Sequence, residues 1–368
     1  MNPPPANVAD AARVLRGATE LSDETLHLGL GACRVRIRSN ARDLIASLRD
    51  YFAHVATEPG EPDLDIIAVE REPLNLHLDF IDWNREPGKT GRKDAHIDLA
   101  EGRLVLKVRT GMVFLQSPSE RIAAGPCIRY DNQVINFINA QYMNWLQNRE
   151  WLICHASGLV KDERCLAIAG FSGGGKSTLM LRLMDDPSVS FLTNDRLFVH
   201  SANNHCEAIG IPKLPRINPG TIVHNKALHG LMSEEQRQIF LAMPPAELWS
   251  VEDKYDVHVE QVYGERRIKD RAQLRAFLIL NWERDTDKPL RVERVDLGER
   301  RDLLGAIMKS PGPFYQFPDG RFFTDTMELD ELAYLRTLDG IAIYEVSGKI
   351  DFDDMSHRCI HDMMGEDL

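Results

Sequence analysis

The sequence predicts an α/β protein whose second half is built around a phosphate-binding strand–loop–helix. Three observations carry that prediction. Gly170-Phe171-Ser172-Gly173-Gly174-Gly175-Lys176-Ser177 satisfies G-x-x-x-x-G-K-[ST] in full. Runs that read as strands alternate along the chain with segments of helical spacing. The composition, 43% hydrophobic and 27% charged over 368 residues, is that of a globular protein long enough for two domains.

The same arithmetic excludes several classes. Lys and Arg total 44 against 56 Asp and Glu, a net charge of −12, so nucleic acid is not the expected partner. No run approaches ~18 uninterrupted apolar residues, and no membrane span is predicted. Met1-Asn2-Pro3-Pro4-Pro5 lacks the basic flank and apolar run of a signal peptide. Six scattered cysteines without a CxxC pair argue against a disulfide framework or zinc ribbon, and a reducing cytoplasm is expected. His357 and His361 would share a helix face, but no second pair of ligands is evident, so a surface helix is the expectation there.

The elements follow in order. Residues 6–16 have helical spacing. Cys33–Arg38 alternates with period two and reads as a strand; helical spacing resumes over Ala41–Val55; Leu64–Val69 is a second strand. Residues 71–94 read as an extended loop. Ala95–Leu99 and Leu104–Phe114 read as two strands joined by a turn at Glu101-Gly102. A helix over Asn132–Asn148 carries an apolar stripe of Val134, Phe137, Ile138, Met143 and Leu146, with Asn132 as a candidate cap. The domain boundary is expected just before it, giving an N-terminal α/β domain over 1–130 and a catalytic domain over 131–368. Trp151–Val160 and Arg164–Ala169 read as adjacent buried strands separated by a charged turn.

The strand ending at Ala169 feeds the glycine loop, and a helix over Ser177–Met184 leaves it. Glycines let successive backbone N–H groups turn inward as an anion nest at a helix N-terminus. Lys176 is suited to the β- and γ-phosphates and the Ser177 hydroxyl to Mg²⁺. Gly170, Ser172, Gly173, Gly174, Gly175 and Thr178 complete the expected cradle for a nucleoside triphosphate. Val189–Thr193 is a short strand ending in Asn194-Asp195-Arg196. Asp195 there sits where an acidic residue meets metal and attacking group at the end of a strand beside the loop. Read alone, His155, among Ile153, Cys154 and Ala156, is an ordinary core histidine.

Taken together, Cys154-His155-Ala156-Ser157-Gly158-Leu159, the charged turn Lys161–Arg164, the loop Gly170–Ser177 and Thr193-Asn194-Asp195-Arg196-Leu197 resemble the HPr kinase/phosphorylase family, and within it the group of HPr kinase-related kinases, "B" branch. Pro215–Gly220 and Glu247–Val257 add to the likeness, which covers about residues 130–285. The resemblance implies a P-loop kinase core of the HPr kinase/phosphoenolpyruvate carboxykinase type. It implies that Asp195 acts as base toward an acceptor hydroxyl, that His155 lies close to the reacting phosphate, and that Glu207 helps hold Mg²⁺. It also implies oligomers.

Two departures stand out. Asn194 replaces the first Asp of the family's pair, which puts metal affinity and a reverse phosphorylase reaction in doubt. Ile211-Pro212-Lys213-Leu214-Pro215 replaces the usual continuation after Glu207, so HPr itself is not the expected substrate. Arg216 and Lys254 are candidate phosphate clamps, with Arg266, Arg267, Arg271 and Arg275 further cations among which the sequence does not choose. The expected function is ATP- and Mg²⁺-dependent phosphoryl transfer to a protein serine or a small-molecule hydroxyl. The alternative is a nucleotide-binding regulatory module without an acceptor, which Asn194 favours.

Overall fold

The computed structural model describes residues 4–84, 91–171, 174–202, 205–251 and 253–365. The chain forms a mixed α/β structure that divides into two compact units, Met1–Glu150 with Ser310–Glu328, and Trp151–Lys309 with Leu329–Leu368.

The first unit holds helix α1 (Val8–Arg16), strands β1 (Thr25–Leu30) and β2 (Cys33–Ser39), helix α2 (Arg42–Tyr51), strands β3 (Leu64–Glu70), β4 (Ile81–Asp82), β5 (Asp94–Leu99), β6 (Gly102–Lys107), β7 (Met112–Gln116) and β8 (Arg121–Gly125), and helix α3 (Asp131–Gln147). The strands make one sheet in the order β1-β2-β3-β8-β7-β6-β5-β4. β2, β3 and β8 run parallel at its centre and the flanks are antiparallel. Period two sorts the faces. Val113 and Leu115 of β7 pack with Ala11, Ala12 and Leu15 of α1, whereas Phe114 meets Phe137 of α3 at 5.0 Å between rings.

Two expectations change here. The strand expected over Leu104–Phe114 is two strands, because Gly111 (φ 70°) reverses the chain between β6 and β7. The helix expected to open the second domain belongs to the first: Asp131 accepts a hydrogen bond from the Ser47 hydroxyl (2.9 Å), and the dividing point falls after Glu150. Neither β1 nor β8 is among the strands the sequence predicts.

Residues 310–328 return to the first unit through Arg103. Its side chain is fully buried on β6. It pairs with Asp98 and donates to the carbonyls of Pro313 (3.1 Å) and Phe323 (2.8 Å). It also lies 4.4 Å over the Phe322 ring.

The second unit contains β9 (Leu152–Cys154), β10 (Ala156–Lys161), β11 (Arg164–Gly170), helix α4 (Lys176–Leu183), β12 (Ser190–Thr193), β13 (Leu197–Ala202) and β14 (His205–Ile209). These are followed by β15 (Arg216–Ile217), β16 (Tyr255–Asp256), β17 (Arg271–Leu280), β18 (Arg291–Arg294) and β19 (Ala342–Ser347). The main sheet runs β12-β10-β11-β17-β14-β13-β9, with β19 also on β17 and β18 on β19, while β15 and β16 form a separate ladder. β11 is parallel to β17 and antiparallel to β10. Both of its faces are covered: Leu166 and Ile168 pack with Leu179, Met180 and Leu183 of α4, while Cys165, Ala167 and Ala169 face Leu303, Leu304, Ile307 and Tyr334. Its apolar run therefore does not alternate, as in a central strand; each fully buried Leu or Ile contributes roughly 1.5–3 kcal/mol. The charged turn between β10 and β11 places Asp162 (φ 50°) and Glu163 (φ 61°) in the left-handed region, the backbone of a tight hairpin turn.

Helix Phe352–Arg358 continues into a wider turn over Cys359–Met363. His357 and His361 lie 4.4 Å apart there between rings. Among the described residues no three His, Cys, Asp or Glu side chains converge as metal ligands, and no helix is long and apolar enough to cross a membrane. All six cysteines are buried and free.

Candidate functional site

Three segments end at one edge of the second sheet. β11 stops at Gly170, and β10 begins there, since Ala156 pairs with Ala169. β12 runs antiparallel to β10 and ends with Thr193 opposite Gly158, delivering Asn194-Asp195 to the same edge. Asp195 thus follows a strand running in the direction of β11, as the sequence predicts, but with β10 between them.

Beyond the glycine run α4 starts at Lys176. Gly175 caps the helix at φ 82°, and a Cβ there would lie 2.8 Å from the Phe352 ring; both the backbone angle and the space demand glycine. The Gly174 N–H donates to the Phe171 carbonyl (2.9 Å), and the Gly174 carbonyl accepts from the Trp282 indole N–H (2.8 Å). Lys176 Nζ donates back to the Gly170 carbonyl (3.1 Å). Ser177 Oγ donates to Asn194 Oδ1 (2.9 Å), tying the start of α4 to the β12 edge. Ser172 and Gly173 lie outside the described residues.

His155 interrupts what the sequence reads as one strand. Its N–H donates to the Ile307 carbonyl (2.6 Å), so β9 departs toward β13 while β10 stays with β11 and β12. The ring thereby reaches the edge, with Nε2 3.1 Å from Asp195 Oδ1. The other carboxylate oxygen faces cations: Lys309 Nζ lies 3.5 Å and Arg196 Nε 4.0 Å from Oδ2. Desolvation alone would raise the Asp195 carboxyl. The His155 hydrogen bond and the Lys309 and Arg196 charges outweigh it and hold the group well below the usual carboxylate range. Lys213 reaches the same strand end: Gly210, three residues before it, packs so closely on β12 that a Cβ there would run into the Leu192 carbonyl. Burial first, then repulsion from Arg196, Arg216 and Lys309, lowers the Lys213 ammonium to about 8 against the attraction of Asp195. The sequence reading names neither Lys213 nor Lys309 as a site residue. Both are cations outside any motif, brought in by the fold.

Other predicted residues lie elsewhere or are otherwise engaged. Glu207 is exposed on β14 and pairs with Gln273, which pairs with Arg164. Arg164 is at the opposite end of β11 from Gly170, about 20 Å away at ~3.3 Å per residue. Glu207 therefore does not join Ser177. The Thr178 hydroxyl meets Thr221 Oγ1 (2.9 Å). Arg216 sits on the β15–β16 ladder with Nε 2.9 Å from Asp256, and Lys254 is exposed. Arg267 donates to the carbonyls of Met184, Asp186, Val189 and Tyr263, so it closes the C-terminal end of α4, the end away from the loop.

For a magnesium ion the donor set fits in part. Ser177 Oγ and Asn194 Oδ1 are neutral oxygens that already share one hydrogen bond, the hard donors such an ion takes. Neither brings negative charge, so nucleotide phosphates would have to supply it. Asp195 is surrounded by cations and Glu207 is remote.

No family model matches the chain, and no curated protein matches it. Among solved structures, the chain is similar to the HPr(Ser) kinase/phosphatase from Coxiella burnetii. The identity is 12%, over 56% of this chain and 86% of that one, with a TM-score of 0.29.

Proposed function

We propose that the chain is an ATP-dependent phosphotransferase of the HPr kinase type, acting on a hydroxyl of a protein serine or a small molecule. The observation that carries this reading is the Ser177–Asn194 hydrogen bond, 2.9 Å long. It sets the start of the glycine-loop helix against the segment bearing Asp195. The N–H groups at the start of α4 and the Lys176 ammonium hold the triphosphate, Lys176 exchanging the Gly170 carbonyl for phosphate oxygens. Asp195, ionised throughout the neutral range, accepts the proton of the acceptor hydroxyl as the new bond forms. His155 orients that carboxylate through Oδ1. Ser177 and Asn194 would hold the magnesium ion, which supplies charge neutralisation at the phosphates.

The test is incubation of the full chain with γ-labelled ATP and a cell extract. A discrete labelled acceptor is expected, absent with a folded Lys176→Ala protein. Unchanged nucleotide affinity and turnover in that variant would end the reading. Asn194, neutral where a second carboxylate would strengthen metal binding, favours a second reading, a nucleotide-operated switch. Tight nucleotide binding with no labelled acceptor in any extract would select it.

A further inference from the structure

We propose that Lys213 and Lys309 form an anion subsite beside Asp195, and that the acceptor hydroxyl is therefore carried on a small compound bearing its own phosphate or carboxylate group. The word acceptor rests on the phosphotransferase reading; the anion subsite rests on geometry of its own.

The cations are brought in from separate parts of the chain. Lys213 follows a three-residue turn in which its N–H donates to the Ile211 carbonyl (2.7 Å) across Pro212. This is the segment singled out above as departing from the family pattern. Lys309 closes the segment whose Ile307 carbonyl accepts the His155 N–H, and Met308 bridges to Cys154. Its ammonium is thus anchored next to the histidine.

Charge counting shows what is missing. Arg216 has Asp256 as its partner. Leaving Arg196 aside, Lys309 pairs with Asp195 at 3.5 Å and Lys213 is drawn to the same carboxylate, both ammonium groups being partly buried; among the described residues neither has another recorded carboxylate partner. The chain carries 56 acidic residues and a net charge of −12, yet the surroundings of Asp195 concentrate the opposite sign. Gathering unbalanced cations away from water is unfavourable unless a bound anion completes the set. The side of approach also matters. His155 takes Oδ1 while Lys309 faces Oδ2, and the phosphate loop reaches this edge through Asn194. An anion on the lysines would place a hydroxyl of the same molecule near the carboxylate. It would also draw the ammonium charges away from Asp195 and make it a stronger base.

The experiment is calorimetry on the full-length chain with its loop filled by magnesium and a non-hydrolysable ATP analogue, titrating inorganic phosphate and, separately, glycerate. Binding of at least one of them is expected. In Lys213→Met and Lys309→Met, made singly so that one can fail to fold without loss of the test, anion affinity should fall about tenfold or more. Analogue affinity should stay within about twofold. Three results would overturn the subsite: no anion binding at millimolar concentration, binding indifferent to both substitutions, or anion binding only when the nucleotide is absent, which would assign the lysines to the γ-phosphate. If the analogue itself fails to bind, the phosphotransferase reading fails separately. The subsite is then judged in Lys176→Ala, where the loop cannot compete for phosphate.

Discussion

Replacing Lys213 by Met removes an ammonium that the folded protein holds at a cost. Burial, then the charges of Arg196, Arg216 and Lys309, bring it down from 10.5 to about 8, with Asp195 opposing. The folded state thus binds this proton less tightly than the unfolded chain does. Between about pH 8 and 10.5 the unfolded chain carries more protons, so stability rises with pH across that window and the penalty is fully present below it. At 1.36 kcal/mol per unit the penalty is at most about 3 kcal/mol. Lys213→Met should therefore raise the unfolding free energy at pH 7 by roughly 1–3 kcal/mol and flatten the rise between pH 8 and 10.5. Urea unfolding of both proteins, followed by tryptophan fluorescence from pH 7 to 10.5, measures the difference directly. A variant less stable than the parent at pH 7, or parallel pH profiles, would refute the reasoning. A variant more stable yet poorer at holding an anion is the signature of a residue kept for function.

Asp195→Asn should lower transfer by about 10²–10⁴-fold with nucleotide affinity within a few-fold, because the partners of Asp195 are His155, Lys309 and Arg196 rather than the loop; full transfer would reassign the base. Asn194→Ala, which removes no base, should slow transfer far less in the same assay. Gly175→Ala should cost about 1–2 kcal/mol for the left-handed backbone, and more for displacing Phe352, and should weaken nucleotide binding; an unchanged melting temperature and titration would show that the loop tolerates a Cβ. The depressed Asp195 carboxyl contributes stability that is complete above its ordinary range near pH 4 and is lost as pH falls below it. Acid unfolding of Asp195→Asn should accordingly be shallower than that of the parent.

The strand before the glycine run and the helix after it are legible because their requirements are local: an apolar run ending at the first glycine, and helical spacing from Ser177, one residue after the observed start at Lys176. β11 reads as buried from its five consecutive apolar residues Cys165–Ala169, which two layers cover. The destination of α3 was not legible. An apolar stripe says that a helix is covered, but not by which sheet. Thr25–Leu30 does carry the period-two signal, with Leu26, Leu28 and Leu30 as its buried face, and is legible as a strand; Arg121–Gly125 offers only small residues after Ile122 and falls below that signal. At the site, Asp195 follows from its strand end and His155 from the motif pattern around it. Lys213 and Lys309 carry no pattern, and only a tertiary fold sets two lysines so far apart in sequence against one carboxylate. Glu207 shows the converse: a motif position can survive in sequence while register carries it to the wrong end of the sheet.

The Arg103 contacts have a consequence in time. The carbonyls that take up this buried guanidinium belong to Pro313 and Phe323, whereas most of the first unit is complete by Glu150. At ~5–20 residues per second, a ribosome needs roughly 10–35 s to travel from Glu150 to Phe323. Throughout that interval Asp98 is this guanidinium's partner, but the two carbonyls and the Phe322 ring that complete its surroundings are missing, so β6 stays open to water there. The second unit's strands emerge during the wait. A fragment ending at Glu150 would remain permanently in that unfinished condition, so an independently expressed first unit has to include residues 310–328 joined by a linker.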